Sequence, residues 1–142
     1  MDERTLAEAR QWVRENRDEG VRCPCCDQFA KVYKRSLNSG MAWCLIKMHR
    51  MTRNDEFIYT PRVIDNSGTL SKLRYWNLLE GDERGWWRVT NAGRRFVRRV
   101  DKVGRWAVIY NDELLYIDDS KEIDIVEALN NKFDYESLMR GE

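Results

Sequence analysis

An α+β fold is predicted by three local patterns that alternate along the chain. Apolar residues recur at helical spacing in Leu6, Ala9 and Val13, again in Met41, Ala42, Leu45 and Met48, and again in Leu70, Leu73 and Trp76. Trp87 and Val89 instead alternate with Trp86, Arg88 and Thr90, the period-two signature of a half-buried ribbon. Two turn-forming runs, Gly81-Asp82-Glu83-Arg84-Gly85 and Asn111-Asp112, separate strand-like pairs and read as hairpins. With 142 residues the chain fits one domain, 1–142, with room for a real core.

Each element has its own local warrant. Thr5 and Glu8 have capping-box spacing at the head of the first helix, and Gly20 is a natural stop. A compact turn, Cys23-Pro24-Cys25-Cys26-Asp27, precedes Gln28–Leu37, which reads equally as helix or strand. Asn38-Ser39-Gly40 breaks the chain and supplies a cap for a helix ending near Met51. Phe57–Thr60 is a short strand closed off by Pro61, and Arg62 to Asp65 makes one helical turn before the break Asn66-Ser67-Gly68.

A helix then starts near Thr69, with Leu70, Leu73 and Trp76 inward and Thr69, Ser71, Lys72, Arg74 and Tyr75 outward or flanking. Leu78-Leu79 enters the first hairpin. Thr90 or Asn91 caps the following helix, whose Phe96 and Val100 are expected in the core. Trp106–Tyr110 and Leu114–Ile117 flank the second hairpin, and short helical pieces lie around Ile123–Leu129 and Tyr135–Arg140. The organisation expected is an N-terminal helix and Cys-containing turn (1–37), a core (38–100), and an acidic C-terminal extension of hairpin and helices (101–142).

The net charge of +1 conceals an asymmetry. Residues 1–20 carry −2, residues 21–62 and 63–105 carry +5 each, and residues 106–142 carry −7. A basic block between acidic flanks attracts polyanions, and for nucleic acid that attraction is the sequence-independent share of affinity. The acidic segment folding back on the basic block accounts for the same numbers. No secretory signal is evident in the charged first twenty residues, and the longest apolar run, Met41–Ile46, is far too short for a bilayer span. A cytoplasmic protein with no membrane partner is expected.

Leu73-Arg74-Tyr75-Trp76-Asn77-Leu78-Leu79 and Trp87-Arg88-Val89-Thr90-Asn91-Ala92-Gly93-Arg94-Arg95-Phe96, in the order helix, strand, helix, helix, two-stranded wing, helix, resemble a winged helix-turn-helix domain over residues 40–100. The second run is similar to the end of the wing in MarR-like regulators, where Thr-x-x-Gly follows the last strand. With Phe133–Leu138, these runs also look like small winged-helix proteins of bacteriophage and prokaryotic genomes. The likeness covers less than half of the chain, which departs from the family in its Cys cluster and acidic extension. It implies a regulator of transcription, commonly a homodimer, with Thr69–Leu79 in the major groove of double-stranded DNA and the Gly81–Gly85 hairpin on the backbone. The alternative is a protein-binding module or phage modulator of a host protein on the same scaffold, with the acidic segment covering or mimicking the DNA site.

The residue chemistry supports the DNA reading on its own terms. Ser71 and Lys72 bond base edges, Arg74 can fork onto guanine, and Thr69 and Tyr75 complete the face; a solvated helix face is the plainer account of the same residues. Arg84 and Arg88 in the hairpin are phosphate ligands by type, with Asp82 and Glu83 beside them. Trp86 is expected to be buried. Arg94/Arg98 and Arg95/Arg99 read as like-charged i,i+4 pairs that destabilise a helix unless anions are supplied. DNA phosphates would serve Arg94 and Arg95, and so would the chain's own Asp112, Glu113, Asp118, Asp119, Glu122 or Asp124.

Cys23-x-x-Cys26 has zinc-ligand spacing, but four ligands are needed. Cys44 and His49 lie about 140° apart on one helix and do not share a metal. A structural zinc on Cys23 and Cys26 therefore stands beside a plain turn with buried thiols, and no other cofactor is expected. A single His, no phosphate-cradling loop and no nucleophile elbow argue against an enzyme.

Overall fold

The computed structural model describes residues 5–18, 20–22, 29–51, 56–60 and 67–141. The turn at Cys23–Asp27, with both candidate zinc ligands Cys23 and Cys26, and the helical turn expected at Arg62–Asp65 lie outside the described residues.

The fold is mixed α+β, and Thr5 caps the first helix through the hydroxyl half of the expected capping box. Helix α1 (Leu6–Asn16) begins where Thr5 Oγ1 accepts from the Glu8 N–H at 3.1 Å. It ends at Arg17, before the expected stop at Gly20, and the Arg17 carbonyl accepts from the Val32 N–H at 2.7 Å. Strands β1 (Val21–Arg22) and β2 (Phe29–Ala30) pair with each other. The ambiguous stretch resolves into β2 and a second strand, β3 (Val32–Ser36).

Asn38 Oδ1 accepts from the Met41 N–H at 2.9 Å and starts α2 (Ser39–Met51). Six of its residues are buried: Met41, Ala42, Cys44, Leu45, Ile46 and Met48. A helix apolar on so many sides belongs at the centre, and α2 packs against every later helix.

Around α2 run β4 (Ile58–Tyr59), α3 (Ser67–Lys72), a 3₁₀ turn (Leu73–Trp76), β5 (Leu79–Gly81), β6 (Trp86–Val89) and α4 (Asn91–Val97). Helix α3 starts two residues earlier than expected and tightens into the 3₁₀ turn, keeping Leu70, Leu73 and Trp76 buried as the spacing predicts. The strand order is β4-β6-β5, so the returning strand of the hairpin sits between the short strand and its own partner. Thr90 secures the junction with α4. Its Oγ1 accepts from the Gly93 N–H at 3.0 Å and donates to the Asn77 carbonyl at 2.5 Å.

Helix α4 is shorter than the Arg-Arg pairs imply. The Val100 N–H donates to the Arg95 carbonyl at 2.8 Å and the Arg99 N–H to Phe96 at 3.1 Å, with Arg99 at φ +65°. This is a Schellman stop with arginine in the left-handed position usually given to glycine. Arg98 is therefore the C-cap and Arg99 lies beyond the helix, so the expected i,i+4 geometry is lost for Arg95 and Arg99, while the Arg98 N–H still donates to the Arg94 carbonyl at 3.0 Å. Val100, placed in the core by periodicity, is 58% exposed because the chain has already turned.

The C-terminal hairpin joins β7 (Val103–Tyr110) to β8 (Glu113–Ile123) through Asn111 and Asp112, both at positive φ, as a two-residue type I′ turn requires. Its order is β3-β7-β8, so the N-terminal strand pairs with the extension, Val32 opposite Tyr110 and Ser36 opposite Trp106. Helices α5 (Ile125–Leu129) and α6 (Tyr135–Arg140) complete the fold, the first under a capping box of Asp124 and Glu127. Among the described residues, no helix is long and apolar enough to cross a membrane.

Candidate nucleic-acid interface

The α3–3₁₀ unit carries most of the expected contact residues. Trp76 anchors it from below, its buried Nε1 donating to the Gly104 carbonyl at 2.8 Å. On the outer side Arg74 is exposed but fixed. Nη1 donates to the Ser71 carbonyl at 3.0 Å, and Nη2 donates to Tyr75 Oη at 3.3 Å and to the Asp112 carbonyl at 3.1 Å. The guanidinium also lies over the Tyr75 ring, 4.5 Å from its centroid. All three acceptors are neutral oxygens, so the side chain is ordered without being neutralised.

Tyr75 differs from its expected outward position. It is 8% exposed, and its hydroxyl donates to the Asp112 carbonyl at 3.1 Å. It acts as a strut between the 3₁₀ turn and the β7–β8 hairpin, and it presents little surface to a ligand. Thr69, Ser71 and Lys72 are half-buried along the same unit.

Ser71, Lys72 and Arg74 form one wall of a groove of about 370 Å³. The opposite wall is strand β3, through Tyr33 and Arg35, two residues outside the expected site. Alternation places them on one face of β3, opposite Ile109 and Ala107 of β7. The run Lys31-Val32-Tyr33-Lys34-Arg35 carried that signal, but only for a reader who had already settled on strand.

The hairpin places its basic residues differently. Arg84 is exposed in the turn, whereas Arg88 forms an ion pair with Glu80, its register partner in β5, and lies 4.3 Å over the Phe57 ring. Trp86, expected to be buried, is 39% exposed and packs on Tyr59 with ring centroids 5.3 Å apart. Strand β4 offers this partner at the sheet edge.

Arg94 and Arg95 do not border the groove of Ser71, Lys72 and Arg74. Arg95 makes a two-point contact to Asp101 at 2.5 and 3.2 Å, holding that carboxyl below the usual carboxylate range. Arg99 reaches Asp124 at 3.6 Å. Arg94 is half-buried near His49, whose imidazole pKa is lowered first by burial and then by Arg98 and Arg94. The chain's own acids thus answer part of the arginine cluster.

The acidic extension does not blanket the groove with carboxylates. Asp118 pairs with Lys34 at 2.9 Å across the Trp106 ring, which Lys34 overlies at 4.3 Å, and hydrogen bonds from Lys34 and Ser120 bring its pKa to about 2. From the extension Ile109 and the Asn111–Asp112 turn reach the groove, and the turn's contact to Arg74 and Tyr75 is made by a main-chain oxygen.

Cys44 is buried and its thiol is pushed up to about 11 by that burial, with Lys47 pulling weakly the other way. Among the described residues no group of three or more His, Cys, Asp or Glu side chains has a metal-binding arrangement. Comparison with protein-family models, with curated proteins and with solved structures finds no match for the chain.

Proposed function

We propose that the protein is a winged-helix DNA-binding regulator that uses Ser71, Lys72 and Arg74 on α3 and its 3₁₀ extension to contact double-stranded DNA, with Arg84 of the hairpin on the flanking phosphates. The observation that carries this reading is the state of Arg74. Three neutral oxygens hold it in place, and its charge has no carboxylate partner among the described residues. Holding a long cation in one pose has an entropic cost, and a phosphate or a guanine edge is the partner that such pre-ordering serves. The succession of α2, β4, α3, the hairpin β5–β6 and α4 among the described residues is compatible with this reading, and it puts the hairpin immediately after the α3–3₁₀ unit.

The test is a gel-shift series with pooled genomic fragments at about 50 and about 200 mM salt, comparing wild type with the Lys72→Ala/Arg74→Ala variant. Removing one phosphate contact lowers the log–log salt slope by about 0.9, so the double variant is expected to lose between one and two units of slope and most of the shift. Failure of both proteins to shift any fragment overturns the reading. Light scattering across a concentration series reports whether the regulator is a homodimer, as the resemblance implies.

A second reading has its own support in the Asn111–Asp112 turn docked on Arg74 and Tyr75. In it the C-terminal hairpin masks the basic face and the scaffold binds a protein partner instead. Deleting the facing pairs Ile109–Leu114 and Tyr110–Glu113, which retracts the hairpin tip and keeps a two-residue turn, then exposes DNA binding that the full chain lacks.

A further inference from the structure

The groove between β3 and the α3–3₁₀ unit has features that a duplex-reading helix does not need. Tyr33 projects from an edge strand, is 46% exposed, and is flanked by Lys31 and Arg35 at 5.6 and 5.7 Å from its ring centroid. Its register partner Ile109 and the neighbouring Ala107 are buried, so the exposed ring stands on the same face of the sheet as a buried apolar floor. Lys72 and Arg74 stand on the far wall. Lys34, Arg88, Arg95 and Arg99 form ion pairs with acids, and no ion pair among the described residues involves Lys31, Arg35, Lys72 or Arg74.

Two cationic walls, one of them carrying an aromatic ring, match the chemistry of a polynucleotide with its bases unpaired. A ring gives any base a stacking partner, and the cations follow the backbone. Tyr33 and Arg35 are separated by about 6.6 Å along the strand, twice the rise per residue, which is comparable to the step between successive nucleotides in an extended strand. A groove of about 370 Å³ is at the small end for a ligand site, in keeping with a ligand slimmer than a duplex.

We propose that this groove clasps a single strand of DNA, with a base stacked on Tyr33 and successive phosphates on Arg35, Lys72 and Arg74. The inference rests on the nucleic-acid reading of Lys72 and Arg74, and it adds β3 as a second wall and single-stranded DNA as the ligand. The protein would then favour DNA that is opened or frayed beside its duplex site.

Fluorescence anisotropy of a labelled oligo-dT of about 15 nucleotides, of an oligo-rU of equal length and of a duplex separates the possibilities. Tyr33→Ala is expected to weaken oligo-dT binding about tenfold or more, and Tyr33→Phe, which keeps the ring, to leave it near wild type. Arg35→Ala is expected to lower the single-strand salt slope by about 0.7. Both positions are exposed on an edge strand, and matching melting curves for the variants exclude a folding effect. Oligo-dT binding indifferent to both Tyr33→Ala and Arg35→Ala overturns the inference, while duplex binding that still depends on Lys72 and Arg74 leaves the proposed function standing. Tyr33-dependent oligo-dT binding with no duplex bound does the reverse. Tighter binding of oligo-rU overturns the assignment to DNA, and no binding of any probe overturns both proposals.

Discussion

Gly93→Ala puts the junction between hairpin and α4 to a direct test. A Cβ at this position lies 2.2 Å from the Leu78 carbonyl oxygen and 2.8 Å from Val89 Cγ1. Reaching even 3.0 Å requires α4 and the Leu78 backbone to separate by most of an ångström. That carbonyl also accepts from the Thr90 N–H at 3.1 Å, so the movement weakens a hydrogen bond as well as the packing. Overpacking costs about 1–3 kcal/mol and the hydrogen bond about 1, while the better helix propensity of alanine returns up to about 1. The expected net loss is about 2 kcal/mol, or a fall in Tm of roughly 6–8 °C for a chain of this length. Gly40→Ala is the control: its Cβ meets only Asn38 Oδ1, at 3.5 Å, inside α2. The same change of residue there is expected to raise Tm slightly. Thermal melts followed by circular dichroism, with urea midpoints at constant m, measure both. A Gly93→Ala protein as stable as wild type would refute the claim that Thr90-x-x-Gly93 exists to let two backbones approach.

Three further outcomes follow from other local features. Arg99→Gly removes a non-glycine left-handed residue from the α4 stop and is expected to gain about 1 kcal/mol, read as a higher urea midpoint, since the exposed Arg99–Asp124 contact offsets little. Loss of stability would show that the Asp124 pair dominates. His49 is held below its ordinary pKa of 6.5, so the unfolded chain binds the proton more readily, and stability falls as pH drops from about 6.5 toward the folded value. Asp118 and Asp101 titrate below 3.8 and leave that window to His49, where His49→Gln is expected to flatten the pH dependence of the urea midpoint. Cys44, with its thiol near 11, is expected to resist iodoacetamide at mild alkaline pH in the native protein and to react after unfolding, as peptide mass spectrometry would show; rapid native labelling would contradict its burial.

Features fixed within a few residues were legible in the sequence, and those fixed by distant partners were not. Thr5, Asn38 and Thr90 announced their helices because a cap is a contact three residues long. Asn111-Asp112 announced its hairpin because few residues tolerate the positive φ of that turn. The pairing of β3 with β7 spans the whole core segment, and nothing near Val32 specifies Tyr110 as its partner. Nothing local to β3 therefore announces that Tyr33 and Arg35 line one groove with Ser71, Lys72 and Arg74. Tyr75 looked like an outward residue on a helix wheel. A 3₁₀ turn rotates each side chain further than an α-helix does, and a hairpin from elsewhere then closes over it. The α4 stop was illegible because arginine occupies the position where a reader looks for glycine.

The contact from Asp112 to Arg74 and Tyr75 is made by a peptide oxygen, while Asp112 itself sits at φ +62°. Position 112 therefore answers to backbone conformation, not to acidity. Asparagine or glycine there keeps the turn and the latch on Arg74 while discarding a negative charge at the mouth of the groove. A β-branched residue keeps neither. Asp112→Asn is therefore a change of charge at the groove that the backbone already permits.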